Sequence, residues 1–135
     1  MSSSILSSEY VTDTMALVLH LESRRSSQIV RQIFEAADSG DATLHIPTIV
    51  FAEILYLSEK GRISLTLSDL KNYLAANHGY KQIPLSFEIV HNAQSISDIP
   101  ELHDRLIASS AHFADLELIT NDPKIQNSAF VKTIW

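Results

Sequence analysis

The sequence predicts an α/β fold, with a mainly parallel central sheet flanked by helices. Three observations predict it. Short apolar runs of strand length alternate with segments whose apolar residues recur at helical spacing. The connections between them are short throughout, as in βα units. The chain has 135 residues, 45% of them hydrophobic, and no cysteine, enough to bury one core without disulfides or a structural metal. The expected organisation is a flexible serine-rich tail over residues 1–8 and one domain over residues 9–135.

Residues 10–13, Tyr-Val-Thr-Asp, read as a short buried strand ending in an acid. Thr14 then opens a helix to Leu21, with Ala16, Leu17 and Leu21 at helical spacing. Ser26 or Ser27 caps a second helix, whose Ile29, Ile33, Phe34 and Ala37 share a face and which Gly40 ends. Leu44, His45 and Ile46 form a second strand closed by Pro47. Thr48 is the expected cap of a third helix that runs to Lys60 and stops at Gly61. Ser68 with Asp69 opens a fourth, through Leu70, Tyr73 and Leu74. Residues 80–84 read as a strand and residues 86–95 as a fifth helix. Pro100 stands at the start of a sixth helix over residues 101–113, where proline is tolerated. Leu118, Ile119 and Thr120 make another strand, Asn121-Asp122-Pro123 a turn, and residues 131–135 the last strand.

Composition narrows the function. The absence of cysteine excludes a thiolate zinc site and a cysteine nucleophile, and fits a reducing cytoplasm, the expected location. The first nine residues lack the basic and long apolar segments of a secretory signal. No apolar run approaches the ~20 residues that span a bilayer, so no membrane partner is expected. A net charge of −6 argues against nucleic-acid binding by a basic surface. Two divalent cations in an acidic pocket would cancel up to about four of those charges. The six histidines show no H-x-x-x-H or similar spacing, which argues against zinc.

Four acids stand where an acid is awkward. Asp13 and Asp122 follow strands at their carboxyl ends, where ligands bind in sheets of this kind. An N-cap explains Asp13 as well as a ligand role does, and an Asp-Pro turn explains Asp122. Asp104 lies in the first turn of its helix, where the dipole favours an acid, on a face shared with Ile107, Ala108 and Ala111. Glu53 has Ile49, Val50, Tyr56 and Leu57 three and four positions away, so it is expected on the core-facing side of its helix. An unpartnered carboxylate there costs several kcal/mol, which leaves a buried ion pair or a metal. Together the four supply an oxygen cage of the kind Mg²⁺ or Mn²⁺ prefers, able to activate water against a phosphodiester. Thr120 and Asn121 add a hydroxyl and an amide beside it. Arg105 is expected to pair with a carboxylate rather than a phosphate, and Lys60 and Arg62 stand at a helix C-terminus, where basic residues are expected anyway, and could approach a phosphate backbone.

The segments carrying the acids are VTDTMAL around Asp13, PTIVFAEILYL around Glu53, IPELHDRLIASSA around Asp104 and LITNDPKI around Asp122. In their order and spacing they resemble PIN-domain proteins of the VapC type, the ribonuclease toxins of toxin–antitoxin pairs. The closing VKTIW resembles the last strand of that family, and the similarity spans about residues 10–135. The resemblance implies a PIN-like three-layer fold and a Mg²⁺- or Mn²⁺-dependent endoribonuclease with Asp13, Glu53, Asp104 and Asp122 as its catalytic acids. Asp13 and Asp104 would be the leading metal ligands. Glu53 would hold a metal or orient the attacking water, and Asp122 would complete the cage. Thr12 and Thr120 match positions that often carry small polar groups. Glu101 departs from the family, where aspartate is common, and its longer side chain argues against a direct ligand role. The implied partners are RNA, a small DNA-binding antitoxin whose tail covers the pocket, and a second copy of the chain, with Phe34, Leu55 and Leu74 as contact points.

The alternative is a catalytically silent PIN fold that binds RNA or protein, against which the retention of all four acids counts. A phosphoacceptor signalling domain needs a lysine that is not matched here. A phosphatase of the Asp-x-Asp type needs an acid where Met15 stands.

Overall fold

The computed structural model describes residues 8–135, and the expected tail falls outside the described residues except for Ser8. The Ser8 carbonyl accepts from Thr43 N at 2.7 Å, so pairing starts at the beginning of the described chain. The strands are β1 (Glu9–Thr12), β2 (Thr43–Pro47), β3 (Tyr80–Ile83), β4 (Leu118–Ile119) and β5 (Thr133–Ile134). They form one sheet in the order β3-β2-β1-β4-β5, and every neighbouring pair is parallel. Tyr10, Val11 and Thr12 are successive and all fully buried, which requires cover on both faces of the central strand. That cover comes from α1 (Thr14–Leu21), α2 (Gln28–Asp38), α3 (Thr48–Glu59), α4 (Leu67–Ala76), α5 (Phe87–Ala93), α6 (Leu102–Ala114) and α7 (Pro123–Gln126). Helix α3 packs against both α1 and α6, and α6 also packs against β1. Among the described residues no helix is long and apolar enough to cross a membrane.

The α/β expectation holds, and the departures from it are local. Ser27 caps α2 by accepting from Val30 N, and Gly40 ends it at φ +84°, a left-handed backbone that suits glycine. Thr48 does not cap α3. It is the first helical residue, and its hydroxyl donates to the Ile83 carbonyl on β3, tying the helix start to the sheet edge. Thr66, not Ser68, caps α4, in a reciprocal box with Asp69. The Asn121-Asp122-Pro123 turn is the entrance to α7, which is a single turn with Asp122 as cap and Pro123 first. Phe34 is fully buried in the core and so cannot be a dimer contact, whereas Leu55 is exposed and Leu74 half-buried. Gly79 has a packing reason: a Cβ there would lie 2.1 Å from the Ala37 carbonyl oxygen.

Candidate active site

The central pairing of β1 with β4 puts Thr12 opposite Ile119, so the residues that follow each strand emerge side by side at the carboxyl rim. Asp13 follows β1 and caps α1, its Oδ1 accepting from Ala16 N at 2.8 Å. Its side chain also bonds the Thr120 hydroxyl. Asp13 is only 9% exposed. Burial, and then the charges of Glu53 and Asp122, push its carboxyl up to about 6, against the opposing pull of the Ala16 N–H and the Thr120 hydroxyl. Asp122 follows β4 by the same logic. Its Oδ1 accepts from Lys124 N at 2.9 Å, and its own N–H donates to Thr120 Oγ1 at 3.1 Å. Thr120, fully buried, thus joins the two acids.

Glu53 arrives from α3 and Asp104 from α6. Glu53 does not face the core, because Val50 and Ile54 take that side and the neighbouring Tyr56 is 51% exposed. Instead Glu53 lies at the rim, where it accepts from the Thr14 hydroxyl and meets His103 Nδ1 at 3.3 Å. The buried ion pair considered as the alternative to a metal does not form; the contact is with a half-exposed histidine. Asp104 sits in the first turn of α6, where its N–H donates to Glu101 Oε1 at 2.7 Å. Glu101 is the cap of α6, which explains a glutamate there without a ligand role. The Asp104 carboxylate accepts no hydrogen bond from any described residue. Burial, then Glu101, Asp122 and Glu53, push it up to about 6, while Lys124 pulls the other way.

All four acids line one cavity of about 750 Å³, together with Thr14, His103 and Asn121. Its remaining wall is apolar and aromatic, formed by Met15, Leu19, Tyr56, Leu57, Ile107, Ile125 and Trp135. Two of the expected polar residues lie elsewhere. Thr12 is buried beneath the site, its hydroxyl donating to the Asp13 backbone carbonyl at 3.0 Å. Arg105 donates to the carbonyls of Ile99 at 3.0 Å and Pro100 at 3.4 Å, securing the loop before α6 rather than a carboxylate. Sequence reasoning missed Thr14, His103, Tyr56 and Trp135. Only Thr14, adjacent to Asp13, carried a signal that could have found it.

The donor chemistry fits a hard divalent cation: four carboxylates with flanking hydroxyls and no sulfur. Among the described residues no three acids or imidazoles form a ready-made coordination cluster. The ring is loose, because Asp13, Glu53 and Asp122 are each engaged by a local donor. Asp104 alone has none.

The PIN domain family model matches residues 10–131. No curated protein matches the chain in sequence. Among solved structures, VapBC2 from Rickettsia felis, bound to a DNA fragment from its promoter, is similar at a TM-score of 0.72 and 20% identity, covering 94% of this chain and 98% of that one. A toxin–antitoxin complex from Klebsiella pneumoniae gives 0.65 and 18%, covering 93% and 96%. FitAcB from Neisseria gonorrhoeae gives 0.64 and 16%, with the same coverage. At such identities the likeness shows the fold.

Proposed function

The chain belongs to the PIN domain family, whose members are generally nucleases, and from that premise we propose that it is a Mg²⁺- or Mn²⁺-dependent endoribonuclease. The observation that carries the reading is Asp104: a half-buried carboxylate with no donor of its own, ringed by three other acids. A fold can leave an acid so poorly served when a cation completes it.

Asp13 and Asp104 would hold the cation, with Asp122 and Glu53 completing its surroundings. A divalent cation bound there supplies Lewis acidity that makes water nucleophilic at neutral pH and charge that stabilises the leaving oxygen. The chain's own groups do the rest. The Ala16 N–H and Thr120 hydroxyl fix the Asp13 carboxyl, so its free lone pairs point in a set direction. Thr14 and His103 hold Glu53 at the cavity rim, where its carboxylate can orient water. With Asp13 and Asp104 at about 6, both are ionised at neutral pH and available as ligands. Asn121 lines the cavity and would face a bound phosphate, while Thr120, fully buried, would act only by steadying Asp13 and Asp122.

The neighbours that are complexes of a toxin with its antitoxin support the further reading that this chain is such a toxin, with a small antitoxin as partner. Homodimerisation is part of the same reading, with exposed Leu55 as a contact. The test is incubation of purified protein with structured RNAs in Mg²⁺, in Mn²⁺ and in chelator. Cleavage that needs the metal and is lost in Asp13→Asn and Asp104→Asn is the expected result. Chelator-resistant cleavage, or unchanged cleavage by both variants, would sink the site. The loose acid ring favours one competitor, a catalytically silent PIN fold that binds RNA or protein. RNA binding without cleavage under every metal condition would establish it instead.

A further inference from the structure

The cavity offers two unlike kinds of surface. Its lining combines the four acids with the apolar and aromatic Met15, Leu19, Tyr56, Leu57 and Trp135. An apolar chain segment filling the whole cavity would strip water from four carboxylates without replacing it. A phosphate alone would leave the apolar wall unused. A nucleotide matches both, because its base is flat and apolar-faced while its phosphate lies one sugar away. We propose that the apolar part of the lining includes a stacking subsite for one unpaired nucleobase beside the scissile phosphodiester, with Tyr56 as its platform.

Tyr56 is suited by position and by company. It is three residues after Glu53, hence on the same side of α3, and 51% of it is exposed although it lines the cavity. Lys60 Nζ, on the following turn, stands over one face of its ring, 5.7 Å from the centre, so the base would take the other face. That ammonium offers the anionic backbone a counter-charge next to the ring, in an otherwise acidic pocket. The occupant must be single-stranded, since a base within a duplex hides both faces in the stack. The inference rests on the ribonuclease reading for the identity of the ligand. It differs from that reading in the residues it uses, which are not the acids.

Trp135, the only tryptophan in the chain, lines the same cavity and gives a readout independent of cleavage. The host is the Asp13→Asn/Asp104→Asn double variant, which keeps the cavity wall while losing the proposed cutting centre and part of its negative charge. The probes are an unpaired hexaribonucleotide, the same strand with single abasic positions, and the strand annealed to its complement. The expected result is that the unpaired strand alters Trp135 fluorescence on binding, and that removing the base at one position weakens it about tenfold. Adding Tyr56→Ala to the host weakens the intact strand by a similar factor and abolishes the abasic penalty, whereas Tyr56→Phe binds within about twofold of the host. The duplex binds more weakly than the single strand. No binding by the host, an abasic penalty that persists in Tyr56→Ala, or equal binding of duplex and single strand would each overturn the subsite. Cleavage by the unmodified protein is assayed in parallel. Cleavage without this coupling removes the subsite and leaves the ribonuclease; coupling without cleavage does the reverse.

Discussion

Asp38 and Asp104 are both half-buried aspartates near helix ends, and the molecule treats them in opposite ways. Asp38, the last residue of α2, receives the Tyr73 hydroxyl, the Tyr80 hydroxyl at 2.6 Å and His20 Nε2 at 2.8 Å. The rings that carry these donors are themselves packed. His20 stacks on Phe34 with centroids 4.6 Å apart, and Tyr73 meets Tyr80 edge-on at 5.5 Å. The network ties α1, α2, α4 and β3 together, and burial with the Asp38 charge pushes the Tyr73 hydroxyl up to about 12. Glu22 follows the same pattern, accepting from Ser64 N at 2.7 Å and Leu65 N at 2.9 Å. Asp104 has none of this. A carboxylate that only holds the fold is saturated by the chain's own donors, and Asp104, left short, is the one the proposed function assigns to a cation.

That contrast can be broken most sharply by activity. Asp104→Asn is expected to lower single-turnover RNA cleavage by about a thousandfold or more, worth ~4 kcal/mol of barrier. Asp38→Ala, assayed well below its melting temperature, is expected to cleave at close to the wild-type rate. Stability should show the reverse order. Asp38→Ala strands two tyrosine hydroxyls and is expected to cost about 2–4 kcal/mol in urea denaturation. Asp104→Asn should cost nothing measurable without metal. Loss of comparable stability in both variants would erase the distinction.

Metal supplies the third comparison. At a concentration about a hundred times Kd, Mg²⁺ or Mn²⁺ should stabilise the protein by ~2.7 kcal/mol. That gain should survive in Asp38→Asn and vanish in Asp13→Asn/Asp104→Asn, as read by thermal melting.

The pH dependence has a definite sign. The folded-state value for Asp13, about 6, lies above its ordinary 3.8, so the folded protein binds the extra proton between these values. Its contribution to stability is fully present below pH 4 and is lost as pH rises through about 6. Asp13→Asn, which can still cap α1, is therefore expected to stabilise the metal-free protein at pH 7.5 by about 1–2 kcal/mol, with no gain at pH 4. Melting in chelator across this window checks it, and a variant less stable at pH 7.5 would contradict the assignment. The smallest effect belongs to His103, half exposed beside Glu53. His103→Ala should change stability by no more than about 0.5 kcal/mol.

The strand-helix alternation made most of the fold legible, because consecutive buried residues such as Tyr10 and Val11 and the helical stripe of Ile29, Ile33, Phe34 and Ala37 depend only on local spacing. Helix starts were less legible. Thr48, Thr66 and Ser68 are equally good caps by type, and only the reach of Thr48 to Ile83 or of Thr66 to Asp69 separates them. Phe34 reads equally as a surface or a core aromatic until α1 lays His20 on it. In the site, Asp13 and Asp122 could be placed together from strand ends alone. The angle of Glu53 could not, because a 12-residue helix with apolar residues nearly all round has no single legible face. Tyr56, His103 and Trp135 reach the cavity from three separate elements, a convergence that no spacing within the chain encodes.

The order of the strands also sets when the pocket can exist. Asp13 is made well before Asp122, and they meet because β4 lies directly against β1. A growing chain can pair β1 with β2 early, but until about residue 122 has emerged it holds neither Asp122 nor the Thr120 hydroxyl that steadies Asp13. A chain that stops short of Asp122 therefore lacks the assembled pocket, and on the proposed nuclease reading it would be inert by topology.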